Sequence, residues 1–144
     1  SDLKVEVAGS SDVRISSISA SELIISAAGS CDINLGEVNA SSFESVIAGS
    51  GNIDAAHVNA DSADLTIAGS GDMDMYLNVN ELNASIAGSG ELALKGSVSR
   101  RAKYSIAGSG HINAKDLKCP ATSYETKGGS ITYQDADGHL VKED

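Results

Sequence analysis

The sequence predicts an all-β chain coiled as a single-stranded parallel β-helix, a solenoid of about six to seven rungs, on three observations. The phrase AGS recurs with its glycine at Gly9, Gly29, Gly49, Gly69, Gly88 and Gly108, spaced 20, 20, 20, 19 and 20 residues apart, and a degenerate KGGS follows at Gly128 and Gly129. A fixed period near 20 marks stacked units. Within each unit apolar residues alternate with polar ones, as in Leu3, Val5 and Val7, then Leu23, Ile25 and Ala27, then Ala63, Leu65 and Ile67. That period of two belongs to a strand with one face buried. No window shows the i, i+3, i+4 recurrence of an amphipathic helix, and Leu is too scarce for a leucine-rich repeat of similar length.

The elements follow in order along each unit. The strand before the corner carries the triplets just named. The corner AGSG comes next, where glycine permits backbone angles closed to other residues and Ser10, Ser30, Ser50, Ser70, Ser89 and Ser109 stack as a ladder. A second alternating pair follows it, as Val13 and Ile15, Ile33 and Leu35, Met73 and Met75, Leu92 and Leu94. A third apolar column reads Ile18, Val38, Val58, Leu77, Val98 and Leu117, so each unit holds about three short strands. Each strand is expected to pair with its equivalent one rung away, at ~4.8 Å, which makes a prism about 30 Å tall. The single proline, Pro120, falls after the sixth unit, as expected where every earlier amide is committed to a ladder bond. Residues 1–127 are assigned to the rungs and 128–144 to a last partial rung and a hairpin cap, with alternation at Ile131 and Tyr133, a turn at Asp137 and Gly138, and a return through Leu140 and Val141. Lys142, Glu143 and Asp144 would discourage pairing at that end, whereas the strand from Asp2 to Val7 is expected to offer a free edge.

Composition is consistent with a thin interior. Leu, Ile, Val and Phe make up 32 of 144 residues, Ala adds 19, Trp is absent and Phe43 is the only Phe. That bulk is just above the level at which a charged chain stays disordered, so order must come from regularity. Net charge is −10, which opposes nucleic acid and anionic membrane surfaces as partners. No run approaches the ~18 apolar residues of a membrane span. Cys31 and Cys119 lie in different parts of the repeat and are not expected to form a disulfide.

The recurring IAGSGNI, IAGSGDM and IAGSGHI resemble the bacterial family of the putative auto-transporter adhesin, head GIN domain, over residues 2 to about 131. The resemblance implies a right-handed β-helix in a non-catalytic, extracytoplasmic module, at the periplasm or cell surface, lipid-anchored in a full-length protein. It carries no catalytic residues, and members of the family usually place a β-rich half before such rungs. Its implied partners are a glycan or a cell-surface protein. An alternative is a structural module that self-associates through its end rungs as a homo-oligomer.

Candidate site residues come from the outward columns. The position after each corner reads Asp12, Asp32, Asn52, Asp72, Glu91 and His111, a polar stripe if the rungs are in register. Like charges ~4.8 Å apart repel by about 1 kcal/mol even in bulk water. Calcium would compensate, but the next acidic column reads Arg14, Asn34, Asp54, Asp74, Ala93 and Asn113 and the period is not nine, so Asp and Asn are read as turn-exit residues and no metal is expected. Ser19, Asn39, Asn59, Asn78 and Ser99 are expected to form a structural amide ladder. His57, His111 and His139 occupy unrelated offsets and are read as surface residues. The serines of Gly-Ser-Gly have no identifiable base, so neither catalytic residues nor a cofactor are assigned. The sequons at Asn39 and Asn83 are assigned no function.

Overall fold

The computed structural model describes residues 2–134 and 138–143. The described residues form ten strands and no helix: β1 (Asp2–Gly9), β2 (Asp12–Gly29), β3 (Asp32–Gly49), β4 (Asn52–Gly69), β5 (Asp72–Gly88), β6 (Glu91–Gly108), β7 (His111–Lys118), β8 (Thr122–Lys127), β9 (Ser130–Gln134) and β10 (Leu140–Glu143). Successive strands from β1 to β7 pair in parallel, β8 continues the stack on β6, and β9 continues it on β7. The result is a β-solenoid of about seven turns.

Each full rung is one continuous strand of 17 or 18 residues rather than three separate short ones. The reason lies in the pairing. Every residue faces its equivalent one rung away, so the ladder runs on through the bends and skips only isolated positions, such as Gly36 and Ser41 of β3. These skips divide the rung into three sides. At the corner the ladder narrows to two bonds per rung, for example from the Ser50 amide to the Gly29 carbonyl at 3.1 Å and from the Asn52 amide to the Cys31 carbonyl at 2.7 Å. The seventh rung alone is broken, into β7 and β8, around Pro120, which has no amide to donate.

The core is a column of inward side chains one residue deep. Its neighbouring stacks alternate in size: Leu23, Phe43, Ala63, Leu82 and Ala102 lie beside Ile25, Ser45, Leu65, Ala84 and Tyr104. From Phe43 onward, where one column is large the other is small, which levels rung volume although composition changes from rung to rung, while Leu23 and Ile25 are both large. Ser45 is the exception in chemistry, with its buried Oγ lacking a hydrogen-bond partner. Such an orphan costs about 1–3 kcal/mol, and its small size leaves room for Phe43 in the same rung.

Two columns differ from the expectation. Leu77 faces Gly96 and not Val98, and Gly96 in turn faces Leu117, while Val98 faces Val79. Asn78 faces Ser97, and Ser99 instead donates to Asn80 at 2.5 Å. Both corrections come from shifts at the bends: rung five is a residue shorter beyond Ala55, rung six regains the residue only after Val98, and rung seven has an extra residue before Asp116, none of which can be placed from the glycine spacing. At the lower end β10 pairs antiparallel with β9, and the Tyr124 and Tyr133 rings meet at 5.6 Å beneath the core. Gly138 holds φ +87, while Asp137 and Asp144 lie outside the described residues.

Candidate functional face

The strand side after the corner presents two outward columns. Asp12, Asp32, Asn52, Asp72, Glu91 and His111 pair in register down the stack, and Ser130 continues the column below His111. All are exposed except His111 and Ser130, which are half-buried and hydrogen-bond each other through His111 Nδ1. Asn52 relieves the repulsion at one step by donating its amide to Asp32 Oδ1 at 3.2 Å. The second column, Arg14, Asn34, Asp54, Asp74, Ala93 and Asn113, is likewise in register. In it the Asp54 carboxyl is pushed above its ordinary value, first by partial burial and then by the charges of Asp74 and Asp32. Among the described residues no group of three or more His, Cys, Asp or Glu is placed to hold a metal ion.

The middle side carries the amide ladder. Asn59 donates to Asn39 at 3.2 Å and Asn78 donates to Asn59 at 3.3 Å, so these three side chains are spent on one another. Asn39 caps the run by donating to Glu37.

Between these two sides lies a feature that the sequence pattern does not expose. Rung four has an extra residue there, so Ala56 and His57 together stand above Tyr76 of rung five. The His57 and Tyr76 rings stack with centroids 5.1 Å apart and planes 19° from parallel. Tyr76 remains 45% exposed and borders a shallow depression of about 440 Å³ shared with Asn34, Asp54, Asp74 and Lys95. The alternation of Met73, Met75, Leu77 and Val79 runs unbroken through this bend and turns Tyr76 outward, but the extra residue of rung four that brings His57 onto its ring has no sign in the repeat.

The corner glycines Gly9, Gly29, Gly49, Gly69, Gly88 and Gly108 all hold positive φ, between +85 and +129. Cys31 and Cys119 are both free and buried, with Cys31 Sγ donating to the Gly9 carbonyl at 3.2 Å. No helix among the described residues is long and apolar enough to cross a membrane.

No curated protein and no solved structure matches the sequence. The family described as putative auto-transporter adhesin, head GIN domain, matches residues 1–96 and, in a second overlapping match, residues 55–140. Those two matches together span nearly all of the rungs described above, and the chain belongs to that family.

Proposed function

We propose that the chain is a non-catalytic, extracytoplasmic binding module of adhesin type. The observation that carries this reading is the match to an adhesin head family across a solenoid whose outward columns are polar and repeat in register for six rungs. A rigid prism of this kind offers long, flat faces on which hydroxyl, amide and carboxylate groups recur every ~4.8 Å, suited to an extended polymer surface such as a glycan or a cell-surface protein. The polar column from Asp12 to His111 forms part of that face. Among the described residues the bends between rungs are short, and the family is described by adhesion. The test is binding of fluorescently labelled chain to intact bacterial and epithelial cells. Saturable binding, displaced by unlabelled chain, is expected; binding that never saturates or is not displaced on any cell type overturns the reading.

A second reading is end-to-end self-association of the 144-residue chain through its first described rung. Among the described residues β1 is paired on one edge only, Leu3 is 40% exposed, and Val5, Val7, Val13 and Ile15 are half-buried where their equivalents below are buried.

A further inference from the structure

Aromatic rings are few in this chain, and their placement sorts them. Phe43 and Tyr104 lie inside the core, and Tyr124 and Tyr133 close its lower end. Tyr76 alone is turned to an outward face in the middle of the stack, where burial of its ring contributes little to the fold. One of its faces is covered by His57, which holds the ring still. Beside it, in the same depression, stand Asp54 and Asp74, neighbours across one rung, with Asn34 two rungs above and Lys95 one rung below Tyr76.

Resting on the adhesin reading above, we infer that this depression is a subsite for a neutral pyranose ring within a saccharide chain. The axial C–H bonds of a pyranose make its face weakly apolar, and that face packs on aromatic surface such as the exposed part of Tyr76. Its equatorial hydroxyls radiate in the ring plane and donate outward. Carboxylates one rung apart supply the acceptors, and hydrogen bonds of O–H to a carboxylate are the strong ones. Lys95 adds the single cationic donor. The preset stack lowers the ordering cost of binding, since the tyrosine has little freedom left to lose. Anionic saccharides are disfavoured at the same place by Asp54, Asp74 and the net charge of −10.

The test is affinity electrophoresis of the full folded chain in native gels containing mannan, galactomannan or xyloglucan, with polygalacturonate as the anionic comparison. Retardation is expected in at least one neutral gel and not in polygalacturonate. Tyr76→Ala should weaken it at least about tenfold without lowering the melting temperature, and Tyr76→Phe should restore it. Absence of retardation in every neutral gel, retardation by polygalacturonate alone, or equal retardation of Tyr76→Ala overturns the subsite. Saturable cell binding that survives Tyr76→Ala also removes the subsite while leaving the adhesin reading standing, so the two failures are told apart.

Discussion

The two glycines of each Gly-Ser-Gly corner are there for different reasons. The first holds positive φ, and in the stacked rungs its missing Cβ would also strike the rung above: at Gly69 that atom would lie 2.4 Å from the Gly49 carbonyl oxygen. The second, as at Gly71, has no such φ, yet a Cβ there would meet the Gly51 carbonyl at 2.5 Å and Ile47 Cγ2 at 2.6 Å. Conformation governs one and crowding the other. Gly9 separates the two effects, because its φ is +85 while nothing lies within 4 Å of the absent Cβ. Gly9→Ala should therefore cost only the backbone term, about 1 kcal/mol, whereas Gly69→Ala should cost several times more, on the order of 3 kcal/mol. Thermal melting of the two variants checks this, and equal losses would mean that the close approach of rungs contributes nothing. Cys31 marks the boundary of the rule. It stands in the place of the second glycine in the corner just below the first rung, as Ser11 does in the corner above it.

Among the elements, the outward columns of β3, β4 and β5 concentrate like charge, and Asp54 shows the consequence. Its folded carboxyl titrates above the ordinary 3.8, so its contribution to stability is fully present below that value and is lost as pH rises through the raised one. At pH 7 the charged group is thus a mild liability, reduced by its solvent exposure to a few tenths of a kcal/mol. Asp54→Asn should raise the melting temperature by about 1–2 °C at pH 7 and leave it unchanged at pH 3. A loss at pH 7, or an equal gain at both pH values, would contradict that account. The elements also show what was legible in sequence. The parallel stack and the register of both outward columns followed from the 20-residue period, because in a solenoid a sequence offset is a spatial neighbour, whereas the joining of each rung into one strand did not. The positions of Val98 and Ser99 did not, since rungs five and six exchange one residue between bends without changing the corner spacing by more than one. Tyr76 itself reads as outward from the alternation of Met73, Met75, Leu77 and Val79, but its stack on His57 was hidden, since it depends on the extra residue that rung four carries at that bend.

At the scale of the whole molecule, charge runs unevenly along the axis. Residues 1–94 carry 14 of the 20 acidic residues and, of the basic ones, only Lys4 and Arg14. The end with apolar surface to cover, at Leu3, Val5, Val7, Val13 and Ile15, is itself mildly acidic, with Asp2, Glu6, Asp12 and Glu22 against Lys4 and Arg14, whereas the opposite end has the β9 and β10 pair and two tyrosines. Two copies meeting through β1 would bury that surface and continue the hydrogen-bond ladder across a two-fold axis. The same contact would bring two acidic ends together. Association through this end should accordingly be weak at low ionic strength and strengthen as salt screens the repulsion. Val5→Lys places a charge in the middle of the exposed apolar row and should give a monomer at every salt concentration, with little effect on the rungs below. Sedimentation velocity across a salt series distinguishes the outcomes. A chain that stays monomeric at high concentration and high salt would leave the edge of β1 without a role in assembly and would remove the self-association reading, while salt-strengthened dimers abolished by Val5→Lys would establish it.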